Sequence, residues 1–235
     1  EDTRPSPNQG TRSPQRETGT PPSSGIATTV PPMGDPRSRE ISVETETYIA
    51  KFTSAGGRLK SFRLKNYPVT LDPDSPLLAM VRGGTYGELP FALNLRTREQ
   101  TMTDTTVSYA ASHETDAIVV SNGDQKELLF EGKHVNGATI LKKYTFFGNG
   151  YGLKLAVSVK NLPFRASTVS LSWLEGVRPE AMSSYYEVYG PAALIDRSFE
   201  YENASDWEPG DSYGPGNIRW AGFTNSYFIA AMMPD

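Results

Sequence analysis

The residue types that could do chemistry near neutral pH are few in this chain. His113, in ASHETD, and His134, in GKHVNG, are the two histidines, and histidine is the side chain best suited to general acid–base work. Both fall in turn-like stretches and read as solvated turn residues. Glu175 and Glu180 flank GVRP, and Glu187 lies among Tyr185, Tyr186 and Tyr189, with Trp207 further on. Aromatic rings beside acids can hold a sugar by stacking and hydrogen bonding. The plainer reading is that these tyrosines pack a sheet while Glu187 faces solvent. Both readings stay open, and Tyr185, Tyr186, Glu187, Tyr189 and Trp207 form the candidate interaction or cleft surface.

Other chemistries find no support. Cysteine is absent, which removes disulfides, thiol nucleophiles and cysteine-based metal sites together. There is no HExxH and no carboxylate-rich calcium loop, and Gly83-Gly84 is followed by no GK[ST], so it reads as a loop. No catalytic residue, cofactor or metal is expected. Net charge is −4 and no basic stripe is present, so nucleic acid is not an expected partner.

The elements that must position these residues divide the chain in two. Residues 1–40 hold eight of the eighteen prolines, five charges of each sign and no aromatic residue. Such a stretch has too little apolar surface to offset the entropy of ordering it, and it is expected to be a flexible linker. Composition changes at Ile41, and residues 41–235 read as one folded domain. ISVETETYIAKF (41–52) is β-branched and aromatic, as a strand is. Gly56-Gly57 then leads into RLKSFRLKNYP (58–68), a hairpin signal that Pro68 ends.

Strand signals recur at short spacing in LPFALNL (89–95), TTVSYA (105–110), AIVVS (117–121), KELLFE (126–131) and ATILKKYTFF (138–147). Asn122-Gly123, Asn136-Gly137 and Asn149-Gly150 suit two-residue hairpin turns. YGLKLAVSVK (151–160) alternates cleanly, with Tyr151, Leu153, Leu155, Val157 and Val159 on one side, as a half-buried antiparallel strand does. TVSLSW (168–173) repeats the pattern, placing Val169, Leu171 and Trp173 inward. Short strands are also expected around 185–188 and 193–196, with a long loop over 206–216. The final stretch, WAGFTNSYFIAAMMP (220–234), carries no charge and is too short to span a bilayer, which needs about 20 apolar residues. No amphipathic helix precedes it. The pattern predicts an all-β sandwich or barrel with at most one or two short helices.

Three segments, in order, resemble the large periplasmic domain of the YidC-type (YidC/Oxa/Alb) membrane protein insertases of Gram-negative bacteria. The first is ISVETETYIAKFTSAGGRLKSFRLKNYP, with Val43-Glu44-Thr45, Gly56-Gly57 and Tyr67-Pro68. The second is KKYTFFGNGYGLKLAVSVKN (142–161), like the family's K-x-[YF]-x-[FL] strand, tight turn and Tyr-led strand. The third is IRWAGFTNSYFIAAMMP (218–234), like the family's closing W-x-[AG] … Y-F segment. Residues 69–131 do not align clearly.

The resemblance implies an antiparallel β-supersandwich, similar in shape to galactose mutarotases. It implies a non-catalytic domain of an inner-membrane insertase and chaperone, with the Sec translocon, its accessory subunits and nascent membrane proteins as partners. Membrane anchorage would come from flanking segments, and Trp220, Phe223, Tyr227 and Phe228 would close the domain toward the membrane. Tyr227 to Met232 are then expected to be a paired strand with alternate side chains buried. The alternative is a carbohydrate-binding or mutarotase-like module on the same fold. Mutarotases pair histidine with glutamate, and no such set can be placed here, so likeness of fold does not carry the activity.

Overall fold

The computed structural model describes residues 38–83, 89–173, 188–208 and 210–235. Residues 1–37 of the expected linker (1–40), and Glu175, Glu180, Tyr185, Tyr186 and Glu187, lie outside the described residues. Among the described residues every regular element is a strand, and the architecture is an all-β sandwich.

The N-terminal sheet begins with β1 (Glu40–Glu44), β2 (Tyr48–Thr53) and β3 (Arg58–Pro68). The stretch 41–52, strand-like throughout in composition, is two strands, in keeping with the V-E-T strand and second strand that the family resemblance implies. The Thr45 hydroxyl oxygen accepts from the N–H groups of Thr47 and Tyr48, each at 3.1 Å, and so turns the chain. Between β2 and β3, Gly56 and Gly57 take φ values of +73° and +55°, the left-handed region that favours glycine. Next come β4 (Leu77–Val81), β5 (Ala92–Arg96), β6 (Thr101–Thr103), β7 (Tyr109–Ala111) and β8 (Ala117–Val119). The first sheet runs β4-β3-β2-β1-β8. Its β1–β8 pair is parallel, the one departure from antiparallel pairing in that sheet.

The remaining strands are β9 (Gln125–Lys133), β10 (Thr139–Phe147), β11 (Leu153–Lys160), β12 (Thr168–Ser172), β13 (Tyr189–Ile195), β14 (Ser198–Tyr201), β15 (Ile218–Asn225) and β16 (Ile229–Met232). They complete sheets ordered β11-β10-β9-β7, β12-β5-β6 and β14-β13-β15-β16. The first and second sheets pack face to face. Phe52 of β2 meets Tyr144 and Phe146 of β10 at ring-centre distances of 4.6 and 5.4 Å, and all three are fully buried.

Several expectations need correction. Asn136-Gly137 and Asn149-Gly150 do join hairpins, but through loops longer than two residues, since the outermost pairs are Lys133↔Thr139 and Phe146↔Leu153. Asn122-Gly123 joins no hairpin. It carries the chain from β8, paired with β1, to β9, which is paired with β7 and β10. Val169 is not inward: it is 66% exposed, because β12 is an edge strand that joins the core only from Leu171 onward.

The closing segment also departs from expectation. Strand pairing begins at Ile229, not Tyr227. The Asn225 side-chain oxygen accepts from the N–H groups of Tyr227 and Phe228, at 2.8 and 2.7 Å. That captures the backbone in a turn and leaves Tyr227 86% exposed. Within β16, Ile229 is exposed while Ala230 and Met232 pack against the core.

Candidate functional site

The two histidines do not converge. His113 follows β7 and His134 follows β9, and these strands run antiparallel. Ser112 N–H pairs with the Leu129 carbonyl, so His113 sits beside the early part of β9 and His134 beyond its far end. At about 3.3 Å per residue they stand roughly 15–20 Å apart along the ladder. Each belongs to its own turn: the His113 carbonyl accepts from Arg39 at 2.5 Å, and His134 Nδ1 accepts from the Asn136 N–H at 3.2 Å. An open depression of about 550 Å³ is lined by Asp196, Arg197, Glu200 and Pro215 among others, with neither histidine on its wall.

Of the candidate interaction surface, the described members are Tyr189 and Trp207. Tyr189 is buried, with its ring 5.3 Å from Phe223 of the neighbouring strand β15. Trp207 is half-buried on the loop between β14 and β15, edge-on to Tyr213 at 5.0 Å. The Tyr213 hydroxyl donates to the Pro191 carbonyl at 2.7 Å and ties this loop to β13. Trp220 and Phe223 are half-buried on β15, and Trp220 lies 6.1 Å from Phe199.

The strongest polar constellation is one that the sequence reading passed over. Lys142 and Asp104 form an ion pair at 2.6 Å, and neither side chain has any exposure. The Lys142 ammonium also donates to the carbonyls of Gly56 at 2.8 Å and Phe91 at 2.6 Å, so all three of its protons have acceptors. Asp104 accepts from the Leu93 N–H and the Tyr109 hydroxyl, each at 2.8 Å. Tyr144 donates to the Gly57 carbonyl at 2.8 Å. Phe91 holds φ at +73°, a conformation disfavoured for a bulky residue.

Burial lowers the pKa of Lys142 while Asp104 pushes it back up. Burial, then the Asp104 charge, push Tyr109 and Tyr144 upward, so both stay neutral. A lysine that donates three bonds in a sealed core has no free lone pair to offer a substrate. The arrangement is a clasp: it joins β10, the β2–β3 turn, the segment entering β5, and β7. The signal for it was present, since Lys142 shares the inward phase of Ile140, Tyr144 and Phe146. Among the described residues no group of three or more His, Cys, Asp or Glu could hold a metal ion.

Among the described residues the domain is an all-β sandwich whose buried Lys142–Asp104 pair is consumed in holding its sheets together. Residues 40–235 match the family model described as YidC periplasmic domain, and the chain belongs to that family. Similar proteins include "Membrane protein insertase YidC" of Syntrophus aciditrophicus, 31% identical over 212 residues, covering 89% of this chain and 38% of that protein. The Pelobacter propionicus protein of the same description is 31% identical, with 84% and 36% covered. That of Geobacter sulfurreducens is 28% identical, with 81% and 35% covered. The chain therefore spans well under half the length of these curated relatives. Family membership makes it a periplasmic domain.

Proposed function

We propose that this domain serves as a non-catalytic contact surface within an inner-membrane protein insertase and chaperone. It helps membrane proteins integrate and fold, alone or beside the Sec translocon. Its partners are the translocon with its accessory subunits and nascent membrane proteins. The stretch assigned to the linker, residues 1–40, leads into the folded part, whose first strand takes up Glu40, and Trp220, Phe223, Tyr227 and Phe228 close the domain on the side of the membrane. The insertase role rests on the relatives, each of which is described as a membrane protein insertase.

The observation that carries the non-catalytic reading is the sealed state of Lys142, Asp104 and Tyr109, together with the separation of His113 from His134. A mutarotase-like site needs histidine and glutamate in one cleft. The test is site-specific photocrosslinking in the full-length insertase, from probes at the exposed Asp206 and Glu208 beside Trp207. Adducts with translocon subunits or inserting membrane proteins support the reading. Sugar-dependent quenching of tryptophan fluorescence with turnover of a hexose anomer, and no such adducts, would overturn it.

A further inference from the structure

Three separate segments bring apolar side chains to one end of the sandwich: Tyr67, Leu71, Tyr151 and Tyr227 are exposed, and Phe228 is half-buried against the core. Tyr67 ends β3, Tyr151 lies in the β10–β11 turn, and Tyr227 and Phe228 form the β15–β16 turn. The Tyr67 ring lies 6.2 Å from Tyr151 and 5.3 Å, edge-on, from Phe228. Tyr67 is 41% exposed, Tyr151 44% and Tyr227 86%. The loop that follows Tyr67, closed by the Val69 N–H to the Pro76 carbonyl, holds a fully exposed Leu71.

We infer that this end, built by Leu71, Tyr67, Tyr151, Tyr227 and Phe228, rests in the headgroup region of a zwitterionic lipid surface. The inference rests on the reading that the domain is held beside the inner membrane, and it adds the part that touches the bilayer. The side-chain types fit. A tyrosine presents an apolar ring with a polar tip, which is why tyrosine collects where hydrocarbon meets water.

The backbone there is already held. Asn225 fixes the Tyr227–Phe228 turn, and the Thr47 hydroxyl donates to the Gly150 carbonyl, joining the β1–β2 turn to the β10–β11 turn. Little ordering is then needed on docking.

Charge selects the kind of lipid. Lys65 is taken up by Glu44 at 2.8 Å and by the Thr45 carbonyl. Asp124, just before β9, balances Lys126 in charge, and Lys154 near the start of β11 is an exposed cation at the same end. Glu46, Asp72 and Asp74 remain exposed on the turns beside the aromatic cluster. An acidic fringe is repelled by anionic headgroups and tolerated by neutral ones. The opposite end differs: the β9–β10 turn carries a fully exposed Val135, beside Lys133 and His134 rather than aromatic residues.

The chain lacks cysteine, so single labels are clean. An environment-sensitive fluorophore is placed on Leu71→Cys, and separately on Val135→Cys, in the full 235-residue chain. Each is titrated with phosphatidylcholine–phosphatidylethanolamine vesicles at millimolar lipid. A blue shift at position 71 and none at 135 is expected. Adding Tyr227→Ser and Tyr151→Ser, both at exposed positions, should weaken the response by about fivefold or more through lost apolar burial. Replacing part of the lipid with phosphatidylglycerol should also weaken it. No response at position 71, equal responses at both positions, or tighter binding to the anionic vesicles would each overturn the inference. Crosslinks to translocon subunits from Asp206 or Glu208 would survive that failure, so the two readings fall separately.

Discussion

Lys142 and Asp104 meet at 2.6 Å in the interior; Lys142 donates to the Gly56 and Phe91 carbonyls, and Asp104 accepts from Leu93 and Tyr109, all on other segments of the chain. Removing one partner strands a buried charge, whereas removing both removes the desolvation cost with the attraction. Lys142→Met or Asp104→Leu alone should cost about 3–5 kcal/mol. The double variant should recover a large part of that loss, as a coupling energy of about 1–3 kcal/mol in a double-mutant cycle. Urea denaturation followed by tryptophan fluorescence reads this directly.

Gly57 sits against the clasp. A Cβ added there would lie 3.3 Å from Phe130 Cβ and 3.4 Å from both Lys142 Cδ and Tyr109 Cγ, at a φ of +55°. Gly57→Ala should lower stability by about 1–2 kcal/mol from the left-handed conformation alone. Gly123→Ala, at a φ of +83° but with open space around it, should cost only the conformational part. A thermal melt of the pair separates crowding from backbone strain.

Tyr48 is fully buried and stacks on Phe62 at 4.4 Å, and its hydroxyl has no hydrogen-bond partner. Burial pushes its pKa up from 10 to about 12. The folded state therefore keeps a proton that the unfolded chain loses above pH 10, so stability is fully present below pH 10 and falls as pH rises toward 12. Two units correspond to roughly 2–3 kcal/mol. Tyr109 and Tyr144 act in the same sense, and Lys142 in the opposite one. Tyr48→Phe should be neutral or slightly stabilising at pH 7, because it deletes an unsatisfied hydroxyl. It should also flatten the alkaline slope, measured by urea denaturation at pH 8, 10 and 11.

Asn225 accepts two backbone N–H groups in the β15–β16 turn. Asn225→Ala should cost about 1–2 kcal/mol, as the loss of paired acceptors does. Amide exchange at Tyr227 and Phe228 should rise while exchange in β10 stays slow. Equal acceleration throughout would mean that the turn is not a local unit.

Legibility followed how local the determining contacts are. β11 was readable because Leu153 to Lys160 alternate along one strand and its partner lies one turn away. The hairpin at Gly56-Gly57 was readable from the glycines themselves. The parallel pairing of β1 with β8 left no mark, since Val43 and Ile118 look like any strand residues. Lys142 enters the sequence pattern as part of the K-x-[YF]-x-[FL] motif and not as a core charge. Its inward phase was visible, but Asp104, its partner, comes from a stretch whose strands are only three residues long. In the closing segment apolar character suggested continuous strand from Tyr227, and one side chain, Asn225, redirected the backbone. Of the expected contact surface, Tyr189 is buried against Phe223 of β15, a contact between segments more than thirty residues apart that its own segment does not carry.

A contact domain of an insertase and a sugar-processing module differ in what they touch. Photocrosslinking from Asp206 and Glu208 in the full-length protein, in inner-membrane vesicles during insertion of a membrane protein, tests the difference most directly. Adducts with translocon subunits or the inserting chain are expected, and they should disappear when insertion is blocked. An absence of both adducts, together with saturable hexose binding that quenches tryptophan fluorescence, would contradict the contact-domain reading.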